Sequence, residues 1–204
     1  MPDYSLEKKY SDMGYKVICG VDEAGRGPLC GPVYAAACVL PEGLYIEGLN
    51  DSKKLTEKKR EALFDIIKEN ALAYCIASAS VEEIDELNIL EADLLAMRRA
   101  IDGLALKVDF ALIDGNINRG FSIDSAAIIK GDATSMSIAA ASILAKVARD
   151  RICADLDAEY PQYKIGKHKG YGTKEHKEAL FKYGPSPIHR KQFIRFLDKK
   201  DEEQ

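Results

Sequence analysis

The run VDFALID at residues 108–114 constrains the fold more than any other part of the sequence. It is short, apolar through its centre and ends in an acid, which is typical of a β-strand buried on both faces. Such a strand needs helices on both sides of its sheet, so the chain is predicted to build an α/β core.

The rest of the chain supplies partners for this strand. Residues 16–21 and 33–40 are apolar or β-branched and flank the Gly/Pro-rich AGRGPLCGP, so they are predicted to form a hairpin. Further strands are predicted at 72–81 and 125–130. The helices predicted from apolar spacing and end signals are 56–70, 81–106 with a kink near Asn88, 135–160, 174–183 and 189–197. The pattern predicts a mixed sheet flanked by helices.

The charges of the chain are segregated, although its net charge is only −4. Residues 161–200 carry 11 Lys and Arg against 3 Asp and Glu, whereas residues 1–160 are acidic. A basic part beside an acidic body is typical of a protein that binds a polyanion and cations, although a solvated lysine-rich helix pair has the same composition. We predict a core domain at 1–160 and a basic, helical, substrate-binding extension at 161–204.

Several classes of protein are excluded or disfavoured. No stretch approaches the roughly 20 apolar residues of a membrane span, and the N-terminus is polar and charged, so a cytoplasmic protein without a membrane contact is predicted. The five cysteines are odd in number, lie in mostly apolar settings and form no CxxC pair, which favours reduced packing residues. The histidines fit no zinc-site spacing and are expected at the surface or near phosphate; they are His168, His176 and His189.

Four acids fall at predicted strand ends or directly beside them: Asp22, Glu23, Asp114 and Asp132. Any one of them could simply end a strand or cap a helix. Together they predict a site for Mg²⁺ or Mn²⁺, because clustered carboxylates need cations and hard cations prefer oxygen ligands. Since successive side chains of a strand point to opposite faces, Asp22 is the firmer ligand and Glu23 the less direct one, unless the chain leaves strand geometry there.

A glycine-rich turn, Gly25–Gly27, follows the first two acids. With Gly31 it forms GxGxxxG, but Pro28 and Pro32 interrupt the helix that a dinucleotide site requires, and the acids would repel a pyrophosphate. The motifs of phosphate-loop proteins, zinc proteases and serine hydrolases are absent from the sequence.

Six motifs occur in order along the chain and cover about residues 16–193. They are VDEAGRG with GPV after it, DSKKL at 51–55, IDGN at 113–116, KGDATSMSIAAASILAKVARD at 130–150, KHKGYGT at 167–173 and YGPSPIHR at 183–190. In this set and order the sequence resembles the ribonuclease HII family, the type 2 ribonucleases H.

The resemblance implies a ribonuclease H-like fold with a small helical C-terminal extension. It implies an endonuclease that hydrolyses the RNA strand of RNA–DNA hybrids and nicks 5′ of single ribonucleotides in duplex DNA, leaving 5′-phosphate and 3′-hydroxyl. Its partners would be RNA–DNA hybrids and DNA duplexes containing ribonucleotides, met during DNA replication and repair. Two ions, Mg²⁺ or Mn²⁺, would act in the reactive complex, one activating water and the other stabilising the departing oxygen.

The resemblance also implies roles for individual residues. The acids that match the family's catalytic and metal-binding set are Asp22, Glu23, Asp114 and Asp132. Gly25, Arg26 and Gly27 match the turn that reads the ribose 2′-hydroxyl, and Tyr171 matches the tyrosine that stacks on the neighbouring sugar. The candidate phosphate contacts, with a solvated surface role as the alternative for each lysine, are Lys53, Lys54, Ser135, Lys146 and Lys169.

Two alternatives stay open at this point. A ribonuclease HIII-like hybrid nuclease is disfavoured, because that family typically adds a sizeable N-terminal domain and only about 15 residues precede the first predicted strand here. A non-catalytic hybrid-binding module is disfavoured because all four acids are present. No exposed apolar helix is predicted to demand a partner, so we expect a monomer that requires no protein partner.

Overall fold

The computed structural model describes residues 1–50 and 52–198, except for the side chain of Lys53. Five strands of these residues form one sheet: β1 (Ile18–Ala24), β2 (Val33–Val39), β3 (Ala73–Ala79), β4 (Phe110–Asp114) and β5 (Asp124–Ile128). Their order across the sheet is β3-β2-β1-β4-β5. β1 pairs with β2 and β2 with β3 antiparallel, whereas β1 with β4 and β4 with β5 run parallel. The mixed sheet expected from the sequence is confirmed.

The helices are α1 (Ser5–Asp12), α2 (Glu57–Asn70), α3 (Val81–Leu87), α4 (Ile89–Asp102), α5 (Met136–Glu159), α6 (Ile165–His168) and α7 (Lys174–Tyr183). The region predicted at 81–106 divides at Asn88, which has φ 73° and accepts hydrogen bonds from the backbone N–H groups of Leu90 and Glu91. The predicted kink is therefore a break between two helices. No helix of the described residues has the length and apolar character needed to cross a bilayer.

Helices cover both faces of the sheet. On one face α4 packs with β1 residues such as Cys19 and Val21. On the other face α5 and α2 pack with Ala36 and Cys38 of β2. Gly20 of β1 lies directly against α5, because a Cβ there would meet the backbone of the helix at 2.1 Å. The small apolar residues in the first half of α5 thus allow the helix to lie close to the strand that carries Asp22.

The C-terminal part packs on the core through a separate apolar cluster. Its members include Leu29 and Cys30 from the loop between β1 and β2, Cys153 from α5, and Tyr163 and Ile165 from beyond α5. Short 3-10 turns lie in this part at Pro161–Tyr163 and Lys191–Phe193. The domain division at residue 160 stays a prediction.

The helix predicted at 189–197 is wrong. Only Lys191–Phe193 forms a 3-10 turn, and residue 198 is the last that the structure describes. His189 forms an isolated antiparallel bridge with Cys30, and the backbone N–H of Arg190 donates to the carbonyl of Leu29 at 2.9 Å. This bridge holds residues 189–190 in extended geometry, with Arg190 at φ −78° and ψ 113°, and extended backbone cannot be part of a helix.

Candidate active site

Asp22 lies near the carboxyl end of β1, the central strand of the sheet. Its side chain is only 6% exposed, and its Oδ1 accepts a hydrogen bond of 2.7 Å from the backbone N–H of Glu23. The hydroxyl of Ser142 on α5 also interacts with this carboxylate and opposes part of the pKa rise described below. Asp22 is therefore held at a fixed position between the sheet and α5.

Asp22 and Glu23 leave opposite faces of β1. The strand continues regularly to Ala24, with Val21 in the cluster under α4 and Ala24 in the cluster under α5. By alternation Asp22 is on the α5 side and Glu23 on the α4 side. Both side chains nevertheless line one cleft, because they lie at the end of the strand.

Asp114 is the last residue of β4, next to β1. The two strands are parallel with Val21 opposite Ile113, so Asp22 and Asp114 follow a paired position on adjacent strands. Asp114 Oδ1 accepts a hydrogen bond of 2.6 Å from the backbone N–H of Gly131. It also accepts a weaker one of 3.4 Å from the N–H of Asp132, which is 8% exposed. The third and fourth acids are thus tied to each other through the backbone.

The acids act on one another electrostatically. The pKa of Asp22 is raised well above its usual value, first by burial and then by the negative charges of Asp114 and Glu23. A divalent cation would relieve both effects, since it offsets the repulsion and stabilises the charged carboxylates. The donor set consists of carboxylate oxygens, which suits Mg²⁺ or Mn²⁺. These residues therefore fit a hard divalent cation.

The turn Gly25–Gly27 lies beside the acids. Gly25 has φ +107°, and a Cβ on it would meet Nε of Arg149 at 2.0 Å, so a side chain is excluded there on two grounds. A Cβ on Gly27 would lie 3.3 Å from Cε1 of Tyr171, so the tyrosine ring packs directly on the turn. The Tyr171 side chain is 48% exposed and is available for a further contact.

One cleft of about 200 Å³ joins these groups. Its lining residues are Asp22, Glu23, Ala24, Gly25, Arg26, Gly27, Ser52, Ser142, Lys146, Arg149 and Tyr171. The structure therefore brings two of the predicted acids, the glycine turn and the predicted stacking residue into one cleft. A larger cavity of about 530 Å³ lies elsewhere, between α1 and the sheet, and holds none of the four acids.

The candidate phosphate contacts have different surroundings. Lys146 lines the cleft but pairs with Asp150 one turn along α5. Lys169 is half-buried, with Nζ 3.8 Å from a carboxylate oxygen of Glu57. Lys54 is exposed at the end of the turn that begins at Ser52, and the predicted contact of Lys53 falls on a side chain outside the described residues.

Ser135 is not brought to the cleft. It is completely buried, and its hydroxyl accepts a hydrogen bond from the N–H of Ile138 as the N-cap of α5. The hydroxyl also donates to Oε1 of Glu7 at 2.6 Å. Because these bonds use the hydroxyl inside the protein, Ser135 holds α1 against α5, and the expectation of a phosphate contact is corrected to this structural role.

Sequence reasoning missed Asp93. It lies on the buried face of α4, is 2% exposed, and its Oδ1 has no hydrogen-bond partner. Its Oδ2 lies 3.5 Å from Nε of Arg26, an exposed residue of the glycine turn. Burial and then the charge of Glu23 raise the pKa of Asp93 to about 8, with Arg26 opposing the rise. The signal in the sequence was an acid on the apolar face of the helix predicted at 81–106, where a buried charge needs a reason.

The expectation of surface or phosphate-binding histidines is wrong for His176 and His189. They are 0% and 3% exposed, and their Nε2 atoms are 3.1 Å apart. The N–H of Ser186 donates to Nδ1 of His189, and this bond favours the tautomers in which His189 Nε2 donates to His176 and His176 Nδ1 donates to the carbonyl of Tyr171. A chain of neutral hydrogen bonds thus ends at the backbone of Tyr171.

Cys30 completes a cluster with these two rings, and the three ligand atoms lie within 4.8 Å of one another. Among the described residues it is the one such set of His, Cys or carboxylate groups. The rings already satisfy each other, and burial raises the pKa of the Cys30 thiol to about 12. Arg149 donates to the carbonyl of Cys30, and that positive charge opposes a further cation.

Known proteins are similar in sequence to this chain over most of its length. The family model described as ribonuclease HII matches residues 19–196. The chain is 53% identical to ribonuclease HII of Caldicellulosiruptor bescii over 192 residues, which are 94% of this chain and 93% of that protein. It is 58% identical to ribonuclease HII of Albidiferax ferrireducens over 177 residues, 87% of this chain and 86% of that one.

The fold is similar to a solved structure as well. The crystal structure of the ribonuclease H2 from Pyrococcus horikoshii OT3 superposes with a TM-score of 0.74 and 29% sequence identity. The match covers 93% of this chain and 100% of that one. The α/β class and the helical C-terminal part that the resemblance implied are confirmed by this likeness.

Proposed function

The chain belongs to the ribonuclease HII family, and on that premise we propose that it hydrolyses the RNA strand of RNA–DNA hybrids and nicks duplex DNA 5′ of single ribonucleotides. The observation that carries the proposal is one cleft lined by Asp22, Glu23, the turn Gly25–Gly27 and Tyr171. Acids beside a backbone turn suit a site that cuts a phosphodiester next to a ribose. The products would be 5′-phosphate and 3′-hydroxyl.

The acids would hold two divalent ions, Mg²⁺ or Mn²⁺. Asp22 is the central ligand of this proposal, with Asp114 and Asp132 beside it and Glu23 reaching the same cleft from the other face of β1. When bound, the ions would supply an activated water and stabilise the departing 3′ oxygen. The raised pKa of Asp22 supports this assignment, because burial and then the charges of Asp114 and Glu23 disfavour the ionised carboxylate, and a bound cation would favour it.

The turn and the tyrosine would select the substrate. Backbone groups exposed at Gly25–Gly27 can hydrogen-bond a 2′-hydroxyl without regard to base sequence. The half-exposed ring of Tyr171 would pack on the next sugar, which it meets best when that sugar lacks the hydroxyl. This pairing favours a junction with ribose on one side and deoxyribose on the other.

Positive side chains would contact the phosphates. Lys146 faces the cleft and would exchange its partner Asp150 for a phosphate, while Lys54 is exposed and Lys169 is half-buried beside Glu57. We place the activity in the cytoplasm, in the removal of ribonucleotides and RNA primers, carried out by a monomer without a protein partner.

The test uses an end-labelled DNA duplex with one ribonucleotide beside a long RNA–DNA hybrid, with Mg²⁺, with Mn²⁺ and with chelator. Metal-dependent nicking 5′ of the ribonucleotide supports the proposal. Cleavage of the long hybrid alone would favour a ribonuclease HIII-like specificity instead. Binding without cleavage in every metal would contradict catalysis by this chain.

A further inference from the structure

Arg190 is a buried arginine whose guanidinium binds the backbone of the glycine turn. It is completely buried, and it donates four hydrogen bonds of 2.7–3.0 Å. The acceptors are the carbonyl oxygens of Gly25, Arg26, Pro28 and Gly31. Burial lowers the pKa of Arg190 to about 10, so it still carries its charge at neutral pH.

These bonds fix which way the peptide groups of the turn point. The described chain has no cis peptide bond. In a trans peptide the carbonyl and the next N–H point in opposite directions. The carbonyls of Gly25 and Arg26 point to the guanidinium, so the N–H groups of Arg26 and Gly27 point away from it. Arg26 and Gly27 are exposed and line the cleft, whereas Gly25 is buried.

The segment that carries Arg190 is itself fixed to the turn. The N–H of Gly31 donates to the carbonyl of Ile188, and the N–H of Arg190 donates to the carbonyl of Leu29. Leu29 donates in turn to the carbonyl of Gly170, next to Tyr171. The C-terminal extension and the turn therefore form one hydrogen-bonded unit behind the cleft.

A second buried arginine supports the same unit from α5. Arg149 is 2% exposed, donates to the carbonyls of Cys30 and Lys169, and lies against the Cα of Gly25. The guanidinium groups of Arg149 and Arg190 thus both donate hydrogen bonds to carbonyl groups on the inner side of the loop. Burying two guanidinium charges is costly even where carbonyl groups accept their N–H groups, which favours a role for both arginines in fixing the shape of the turn.

We propose that Arg190 is the positioning residue for ribose recognition: it orients the N–H groups of Arg26 and Gly27 toward the 2′-hydroxyl of the substrate. The inference rests on the proposed function of the cleft and assigns its specificity to a residue of the C-terminal extension. Lysine cannot replace Arg190, because an ammonium has three donors and no planar fork to hold four carbonyls at once.

The test measures affinity for two DNA duplexes that differ by a single 2′-hydroxyl. Cleavage is suppressed by carrying Asp114→Asn in every protein, and Mg²⁺ is present throughout. The variants are Arg190→Lys and the matched control Arg195→Lys, an exposed arginine of the same segment. We expect Arg190→Lys to lower the preference for the ribonucleotide duplex about tenfold, as loss of one or two aligned hydrogen bonds would, and to leave affinity for the all-DNA duplex unchanged. The control should keep the preference.

Two outcomes overturn the inference. One is an unchanged preference in Arg190→Lys. The other is an equal loss for both duplexes together with a lower melting temperature, which indicates a purely structural role. If the protein with Arg190 intact shows no preference and the unmodified chain does not nick the ribonucleotide duplex, it is the proposed function that fails.

A second measurement needs no change at Arg190. Amide signals of ¹⁵N-labelled protein with Asp114→Asn are followed as each duplex is added. The signals of Arg26 and Gly27 should shift more with the ribonucleotide duplex than with all-DNA. Equal shifts from both duplexes would contradict the assigned direction of these N–H groups.

Discussion

Asp114 holds the backbone N–H of Gly131 at 2.6 Å, so the acid that ends β4 also fixes the turn that carries Asp132. A carboxylate and an amide oxygen can both accept this bond, but only the carboxylate brings charge to a cation. The relationship separates the structural role of Asp114 from the catalytic role proposed for it.

We expect Asp114→Asn to lower the cleavage rate at least a hundredfold, or by several kcal/mol in barrier, while the protein stays folded. The amide oxygen keeps the bond to Gly131, and removal of one negative charge relieves Asp22. Single-turnover cleavage and thermal melting measure the two effects. Asp102→Asn, an exposed acid at the end of α4, is the control and should change neither. A large fall in melting temperature would show that the charge itself is structural.

The paired histidines should make the fold sensitive to acid. Burial lowers the pKa of His189 to about 4 and also lowers that of His176, whereas both are near 6.5 in an unfolded chain. The unfolded chain therefore binds more protons as pH falls below 6.5, and stability present at neutral pH is lost toward pH 4.

The slope of this loss is up to about 1.4 kcal/mol per pH unit for each histidine. Urea unfolding at pH 7, 6 and 5 measures it. His189→Gln removes one titrating group and should flatten the curve, even where it lowers stability at pH 7. A slope identical to that of the unchanged protein would show that the pair does not control acid unfolding.

Local signals in the sequence were sufficient for many of the elements. The predicted helix 174–183 matches α7 at both ends, since Thr173 accepts a hydrogen bond from His176 N–H as N-cap and Gly184 follows with φ 74°. The position of Asp22 close to a strand end was also predictable, because an apolar run stops at the acids, although β1 continues to Ala24 and the predicted strand ended at residue 21. The alternation of Asp22 and Glu23 was foreseen from the geometry of a regular strand.

The remaining features depend on contacts between distant residues. Helix α1 was not predicted, and its Glu7 is fixed by Ser135 and Ser137, which lie 128 and 130 residues further on. In the segment predicted as a helix at 189–197, Arg190 is instead bonded to carbonyls of residues 25–31. Neither apolar spacing nor end signals contain such pairings, so local patterns could not find Arg190 or the histidine pair.

Close packing between β1 and α5 should make Gly20 intolerant of a side chain. A Cβ there would lie 2.1 Å from the carbonyl carbon of Ser137 and 2.2 Å from the backbone nitrogen of Ile138, and backbone atoms cannot turn aside. We expect Gly20→Ala to cost about 3 kcal/mol or more of unfolding free energy. Gly172→Ala is the control, since the nearest atoms to its Cβ would be side-chain atoms of Leu29 at ordinary distances of 3.4–3.6 Å. Denaturant unfolding of both variants measures the difference. Equal free energies of unfolding would mean that β1 and α5 can move apart at little cost.

Gly27 and Tyr171 allow a test of substrate selection with little effect on the fold. A Cβ on Gly27 would lie 3.3 Å from the tyrosine ring, so Gly27→Ala should push the half-exposed ring by a few tenths of an ångström without straining the backbone. We expect nicking at a single ribonucleotide to fall about tenfold, because a small displacement of a positioning group has large effects on rate. The melting temperature should change little.

The matched control for this change is Gly172→Ala, on the other side of Tyr171. Its Cβ would meet Leu29 at an ordinary distance of 3.4 Å, so it adds the same methyl group beside Tyr171 without the close contact to the turn. Tyr171→Phe keeps the ring face and should retain most of the rate, whereas Tyr171→Ala should lose at least as much as Gly27→Ala. If Gly27→Ala and Gly172→Ala nick equally well, the contact between the turn and the tyrosine does not set the position of the ribose.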